Sequence, residues 1–324
     1  MKVLVTGAGG FIASHLVEEI IKNGKYQVRA FVHYNSRNLW GWLEGSPCRN
    51  AVEIISGDIR DYDLVKSAVD GCNLVFHLAA LIGIPYSYIS PLAYVRTNVE
   101  GTYNILQAAR ECNVERVIHT STSEVYGTAQ YVPIDEAHPV NPQSPYAASK
   151  ASADFLALSY YRSFGLPVTV VRPFNAYGPR QSARAIIPAV MAQILEGKQK
   201  IALGNLAPTR DFTFVFDTVS GFLAAAASEK TVGETVNLGT GSEISIGDLV
   251  AKIARILESP VEIVTEEQRI RPAKSEVERL LSNPSKMHSL TGWSAQISLE
   301  DGLRCTAAWM RERKALYKSD IYNV

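Results

Sequence analysis

Residues 2–24 read KVLVTGAGGFIASHLVEEIIKNG. A short apolar, β-branched run, Lys2 to Thr6, gives way to a glycine-rich turn and then to a helix that stops near Gly24. Such a run predicts a parallel strand buried on both faces, which has no polar alternation to show. Gly7, Gly10 and Ala13 keep the Gly-x-x-Gly-x-x-Gly/Ala spacing of a dinucleotide turn. That turn lets backbone N–H groups and a helix N-terminus approach a pyrophosphate. A lone match is more often an ordinary strand–helix connection. Its place at the head of a strand–turn–helix unit shifts the balance towards cofactor binding.

Working outward, further strands are expected at Gln27–Val32, Val52–Ile55, Asn73–Ala80, Val117–Ser121 and Val168–Arg172. Helices are expected at Leu64–Asp70, Pro91–Cys112 and Pro145–Phe164, and residues 38–51 read as a loop with a short aromatic turn. Strand–helix alternation with glycine-rich turns predicts an α/β fold built on a right-handed, doubly wound parallel (Rossmann) sheet. Beyond residue 175 the pattern changes. Helices are expected at Ala183–Glu196, Asp217–Ser228 and Ile246–Leu257, with two more towards the C-terminus. Strands are expected at Lys200–Leu203, at 210–217, at Thr235–Leu238 and at Val261–Val264. We therefore expect a dinucleotide-binding domain over 1–175, completed by about 212–242, and a smaller interleaved C-terminal α/β substrate domain from 176–211 and 243–324.

Composition narrows the function classes. Lysine plus arginine balance aspartate plus glutamate at 32 each across 324 residues, so no global field recruits nucleic acid or an anionic membrane. An anionic ligand must be held locally. The four cysteines (Cys48, Cys72, Cys112, Cys305) form no ligand cluster, which predicts a reduced, cytoplasmic protein without a metal. No leader pattern precedes the first strand, and the longest near-apolar run, Leu74 to Ile84, is too short for a membrane span. The long helices at Pro91–Cys112 and Pro145–Phe164 carry spare apolar surface, which points to a homodimer packed as a four-helix bundle.

Chemistry gathers between His119 and Lys150, HTSTSEVYGTAQYVPIDEAHPVNPQSPYAASK. Thr122, Ser123 and Glu124 stand at the end of a buried strand. Tyr146 and Lys150 follow one helical turn apart, on one helix face. An ammonium near a phenol is expected to lower the tyrosine pKa towards neutrality, so that Tyr146 takes a proton from an alcohol while a hydride leaves the same carbon. Tyr-x-x-x-Lys alone is weak, since surface helices carry it by chance. NAD-preferring sites place an acid after the second strand for the ribose 2′-hydroxyl. Here Ser36 and Arg37 stand there instead, so NAD and NADP both remain open. Asp58 and Ile59 are expected to border an adenine, and small Ala79 and Ala80 after Leu78 admit a ligand closely. His77 reads as a packed core histidine.

The set TGAGGFIASHL, GDIRD, FHLAA, STSEVYG, PYAASK, RPFNAYGPR and RDFTFVFD resembles the extended short-chain dehydrogenase/reductase family of nucleotide-sugar enzymes. The likeness covers nearly the whole chain, departing at Ala13 (usually glycine) and at the missing acid after the second strand. It implies that Tyr146 is the base at the sugar 4-hydroxyl, that Lys150 positions the nicotinamide ribose, and that Thr122 holds the 4-oxygen. It implies cofactor contacts at Gly7, Gly10, Phe11, Ile12, Asp58, Ile59, Ala79, Asn98 and Pro173. It implies that Asn175, Arg180, Arg210 and Arg271 hold the nucleotide diphosphate, Arg210 first among them.

Thr122-Ser123-Glu124 is similar to the GDP-mannose 4,6-dehydratases, whereas dTDP-glucose enzymes carry aspartate at the position of Ser123. The resemblance implies C4 oxidation, loss of water across C5 and C6 with Glu124 as base and then acid, and hydride return to C6 on a tightly held, regenerated cofactor. YNSRNLWGWL (34–43) and RPAKSEVERLLSNPSKMHSLTGW (271–293) most resemble dehydratases of the legionaminic acid pathway, which act on GDP- or UDP-N-acetylglucosamine. UDP-glucuronate decarboxylases share Thr-Ser-Glu-Val-Tyr-Gly and are the nearest alternative. A 4-epimerase follows, and then a non-catalytic nucleotide sensor.

Overall fold

The apolar runs assemble into one seven-stranded sheet of order β11-β6-β5-β4-β1-β2-β3, in which every neighbouring pair is parallel. The computed structural model describes residues 1–323. In its first half β1 (Lys2–Thr6), α1 (Phe11–Lys22), β2 (Gln27–His33), β3 (Val52–Gly57), α2 (Tyr62–Val69) and β4 (Leu74–His77) alternate as expected. A short α3 (Ile84–Ile89), not foreseen, precedes α4 (Pro91–Tyr94), a π-helical stretch (Val95–Glu100) and α5 (Gly101–Glu111). Then come β5 (Arg116–Thr120), α6 (Pro145–Phe164) and β6 (Val168–Pro173).

The second half holds β7 (Asn175–Tyr177), α7 (Ile186–Leu195), β8 (Lys200–Leu203), β9 (Thr209–Arg210), β10 (Phe212–Phe214) and α8 (Val215–Ala227). It continues with β11 (Thr235–Leu238), β12 (Ile244–Ser245), α9 (Ile246–Ile256), β13 (Glu262–Thr265), β14 (Arg279–Leu280), α10 (Ser285–Thr291) and α11 (Leu299–Arg311). β11 joins the edge of the large sheet, while the remaining strands form small sheets β10-β7, β12-β9-β14 and β13-β8.

The unbroken apolar character of β1 follows from its place at the centre. Val3 and Val5 pack into the core on one face with Leu16, Val17 and Phe222. Leu4 packs into the other with Val75, Ile105 and Val117. Successive side chains point to opposite faces, and here both faces are covered.

Three elements depart from expectation for identifiable reasons. β4 stops at His77 rather than Ala80, because the N–H groups of Leu78 and Ala79 turn aside to donate to Thr6 Oγ1 at 3.1 Å each. The helix expected over Pro91–Cys112 is interrupted by the π-helical stretch around Asn98, and such stretches gather at functional sites. The strand expected over 210–217 breaks at Asp211, whose buried carboxylate accepts from the N–H groups of Thr240 and Gly241 at 2.9 Å each. Helix α8 then begins already at Val215.

Residues 38–51 form a flap of two 3₁₀ turns, Gly41–Leu43 and Arg49–Ala51, pressed onto the glycine-rich turn. Trp42 N–H donates to Gly9 O at 3.0 Å, and the Trp42 ring meets Trp309 of α11 edge-on at 5.4 Å. Gly41 has φ +63°, and a Cβ there would run into Gly9 O. Gly7 has φ +66°, and its Cβ would lie 2.9 Å from the Ala79 backbone. Gly24 has φ +68° with open space around it.

Those two glycines separate strain from crowding. Gly24→Ala carries only the left-handed penalty and should cost about 1 kcal/mol. Gly7→Ala adds a backbone collision and should cost about 1–3 kcal/mol more. Urea denaturation of both variants checks the difference, and equal losses would show that the turn yields to a methyl group.

Candidate active site

In a doubly wound sheet a ligand crevice opens outside the carboxyl ends of the strands where strand order reverses, here between β1 and β4. Helix α6 enters that crevice by its N-terminus. Ser144 caps it, accepting from Ala147 N–H at 3.1 Å, and Pro145 takes the first helical position, where a missing N–H costs nothing. Tyr146 comes next and Lys150 one turn later, both buried. β5 delivers the opposing segment. Thr122 caps the 3₁₀ turn Ser123–Tyr126, its Oγ1 accepting from Glu124 N–H at 3.2 Å. Thr122, Ser123 and Glu124 are all buried.

The electrostatics differ from the sequence expectation at the tyrosine. Burial pushes the Tyr146 phenol up, the neighbouring Glu124 carboxylate pushes the same way, and the Thr122 hydroxyl opposes them. Tyr94 adds to the dry surroundings, its ring 6.2 Å from that of Tyr146. The Lys150 ammonium donates to Thr120 O at 2.5 Å instead of reaching the phenol. Burial lowers the pKa of Lys150 to about 8, with Asp154 pulling it back up. So the pair sits on one helix face as expected, but removal from water governs both groups.

Most of the expected cofactor residues follow the carboxyl ends of β1, β2, β3 and β4. Gly10 begins α1 with no side-chain cap, and the first turn, Phe11 and Ile12 included, carries no acid. The amides at the start of this 12-residue helix are therefore left for an anion. Leu78, Ala79 and Ala80 follow β4 directly, and Ala79 lies against Gly7. These residues fit a dinucleotide pyrophosphate. Asp58 is engaged by Arg60, whose Nε donates to its two oxygens at 2.9 and 3.0 Å. Ile59 packs beneath Gly101. Ser36 and Arg37 stand exposed beyond β2, where Asn35 Oδ1 accepts from the Arg37 and Leu39 N–H groups at 3.2 and 3.1 Å. Pro173 ends β6. Asn98 spends its amide inside the protein, accepting from Leu81 N–H at 2.8 Å and donating to Leu81 O and Ser149 Oγ at 2.9 Å each. It holds the wall of the crevice.

Of the four residues expected at a diphosphate, the structure joins Arg210 and Arg271 through one carboxylate. Glu276 Oε1 lies 3.6 Å from Arg210 Nη2 and 3.4 Å from Arg271 Nη1. Arg210 is buried and feels Glu124 as well, so this cluster adjoins the Thr122–Glu124 segment. Asn175 Oδ1 is buried without a hydrogen-bond partner. Arg180 is placed elsewhere: it reaches α1, with Nη1 3.1 Å from Ser14 Oγ and Nη2 2.8 Å from Glu18 Oε1. Its guanidinium ties the β7 exit to α1, a role that motif spacing does not reveal.

Sequence reading did not single out Tyr94, Glu276 or Arg184. Tyr94 and Glu276 have no motif of their own and meet the site only by tertiary packing. Arg184 approaches the Gly83–Tyr94 wall. His77 is a core residue as expected, its Nδ1 2.8 Å from Thr6 Oγ1 and its Nε2 3.1 Å from Thr102 Oγ1. Among the described residues no helix is long and apolar enough to cross a membrane, and no group of histidine, cysteine and acidic side chains could hold a metal.

Residues 4–306 match the family model of the GDP-mannose 4,6 dehydratases. The chain belongs to the GDP-mannose 4,6-dehydratase family. It is 32% identical over 321 residues to the dTDP-glucose 4,6-dehydratase of Streptomyces antibioticus, covering 98% of this chain and 95% of that one. It is also 32% identical over 319 residues to the UDP-glucose 4-epimerase of Mycolicibacterium smegmatis, covering 97% and 99%. The crystal structure of the dTDP-glucose 4,6-dehydratase from Streptomyces venezuelae with NAD bound matches with a TM-score of 0.88, at 30% identity, over 98% of this chain and 99% of that one. Both the catalogue of motifs and the Rossmann fold thus belong to this dehydratase family.

Buried histidines around the crevice give the family member a pH signature. Burial, with Arg180 adding to it, lowers His15 from 6.5 to about 4, and burial also lowers His77 and His119. Each folded-state pKa lies below its unfolded value, so the unfolded chain takes up protons that the folded chain refuses. Stability is therefore full above about pH 6.5 and falls as pH drops towards 4. Urea midpoints at a series of pH values should show that decline, and His15→Gln should make it shallower.

Proposed function

We propose that this chain is a nucleotide-sugar 4,6-dehydratase that converts GDP- or UDP-linked N-acetylglucosamine into the 4-keto-6-deoxy sugar. The reading rests on Glu124, a buried carboxylate coupled electrostatically to both Tyr146 and Arg210. A 4-epimerase has no need of a base at C5, so Glu124 favours dehydration over the epimerase relatives. The sugar and the base are proposed on the likeness of segments 34–43 and 271–293 to enzymes of the legionaminic acid pathway.

When bound, NAD or NADP accepts the C4 hydride and gives it back at C6. The NAD-bound Streptomyces venezuelae structure supports NAD, while exposed Arg37 and Ser36, with no acid after β2, suit the 2′-phosphate of NADP. Gly7, Gly10, Phe11, Ile12 and Leu78–Ala80 form its cradle, with Asp58, Ile59 and Pro173 at its two ends and Asn98 behind the wall. We assign dinucleotide binding to residues 1–175 with about 212–242, and the sugar nucleotide to 176–211 and 243–324.

Tyr146 takes the 4-hydroxyl proton as the C4 hydride departs, with Thr122 holding the 4-oxygen and Lys150 the ribose and its field. The 4-keto group acidifies the C5 proton, which Glu124 removes. Glu124 then gives that proton to the departing 6-hydroxyl, so one water leaves, and Ser123 lines the same wall. C5 regains a proton in exchange for the one Tyr146 took, which restores the site. Asn175, Arg210 and Arg271 hold the diphosphate, where charge-assisted bonds contribute most. Arg180, turned onto Ser14 and Glu18 of α1, stands outside that set. The exposed Tyr103 of α5 and Phe155 and Phe164 of α6 supply the apolar face of a homodimeric four-helix bundle.

Mass spectrometry of product mixtures tests the reaction directly. Incubation with GDP- and UDP-N-acetylglucosamine should yield a product lighter by one water, and a pentose from UDP-glucuronate would instead identify a decarboxylase. Glu124→Gln should still reduce the nicotinamide yet lose dehydration by about 10²–10⁴-fold. Dehydration at the wild-type rate in that variant would remove Glu124 from the mechanism. Tyr146→Phe should abolish nicotinamide reduction altogether, read as absorbance on adding the sugar nucleotide.

A further inference from the structure

Beneath the crevice lies a buried acid that the chemistry above does not use. Asp154 is fully buried, at 0% exposure, one turn below Lys150 and two below Tyr146, so the three share one face of α6. Its Oδ2 accepts from Ser121 Oγ at 2.7 Å and from Arg172 Nε at 3.0 Å, with Arg172 Nη2 also at 3.0 Å. His119 Nε2 stands 3.2 Å from its Oδ1. Arg172 lies over the Tyr126 ring at 4.8 Å, and Tyr126 OH donates to Asn237 Oδ1 at 2.8 Å. One carboxylate thus ties α6 to the exit of β5 through Ser121, and to β6 through Arg172. Ser121 directly precedes Thr122–Glu124.

We propose that Asp154 is a positioning residue: it clamps the end of β5 to the helix bearing Tyr146 and Lys150, and it supplies the negative charge that faces the Lys150 ammonium. This deepens the dehydratase reading and rests on its assignment of Tyr146 and Lys150 to hydride chemistry. A purely structural acid would need only its own partners satisfied. Asp154 does more, because it sits where the two halves of the catalytic set meet. His77 from β4, His119 from β5 and Asp154 from α6 share a field with Lys150, Tyr146 stands one turn before it on α6, and Arg172 from β6 pairs with Asp154. The histidines are kept neutral by burial and Arg172 is a cation, which leaves Asp154 to favour the ammonium.

The sign follows. Burial already brings Lys150 to about 8, and the Asp154 charge opposes it. Loss of the Asp154 charge lowers the midpoint further, so less ammonium survives at neutral pH and the basic limb of activity moves to lower pH.

The test follows Lys150 itself, by the NMR signal of its ε-methylene in lysine-labelled full-length protein, beside the rate of nicotinamide reduction on adding GDP- or UDP-N-acetylglucosamine. Asp154→Asn should lower the Lys150 midpoint by about one pH unit or more and slow reduction at neutral pH about tenfold. Asp154→Glu should hold the midpoint near wild type while its displaced carboxylate slows reduction at every pH. A Lys150 midpoint unmoved in Asp154→Asn, with thermal stability alone reduced, overturns the proposal. If the asparagine variant does not fold, the glutamate variant decides, and a wild-type reduction rate there overturns it equally. Wild-type protein that reduces no nicotinamide with any sugar nucleotide defeats the dehydratase reading, and the Lys150 titration still decides the role of Asp154.

Discussion

One hydroxyl at the end of the central strand sets the floor of the crevice. Thr6 Oγ1 meets His77 Nδ1 at 2.8 Å and accepts from the Leu78 and Ala79 N–H groups at 3.1 Å. Those bonds end β4 and turn its exit towards the glycine-rich loop, so that Gly7 and Ala79 touch through their backbones. A parallel sheet leaves its carboxyl-end N–H groups to be satisfied by something. Here a side chain satisfies them, which makes the crevice a fixed feature of the fold and not a product of loop choice.

On that floor the site concentrates charge that the chain lacks as a whole. Net charge is zero, yet Lys150, Asp154, Arg172, Glu124 and Arg210 are all buried within or beneath the site. Burying ions is expensive unless they are paired. The structure meets part of the cost by pairing three of the five: Asp154 with Arg172, and Arg210 with Glu276. Such pre-set charges need no rearrangement when charge develops on a substrate. Asn175 Oδ1 is among the buried atoms left without a hydrogen-bond partner.

How much of this was legible in the sequence depends on how local each feature is. The strand cores and α6 were readable because an apolar run, or a proline such as Pro145 at a helix start, states its own boundary. Tyr146, Lys150 and the Thr122–Glu124 segment were readable because their spacing is within one helix turn or one strand exit. Asp211 breaking a strand was not readable, since its partners Thr240, Gly241 and Ser282 come from distant segments. Arg180 misled for the same reason: its neighbours in sequence belong to a ligand motif, while its neighbours in space, Ser14 and Glu18, belong to α1. The phenol's expected drop in pKa failed because burial, a three-dimensional quantity, pushes it up, and the Glu124 carboxylate adds to that push.

The flap over the glycine-rich turn has an evolutionary consequence. Gly9 and Gly41 meet through main-chain atoms alone, and Trp42 anchors the flap to Trp309 of the last long helix. Side chains elsewhere in the flap are therefore free to drift without opening the seam. The position that cannot drift is the glycine itself. The seam is thus held by main-chain atoms, and selection can alter the side chains around it while leaving it intact.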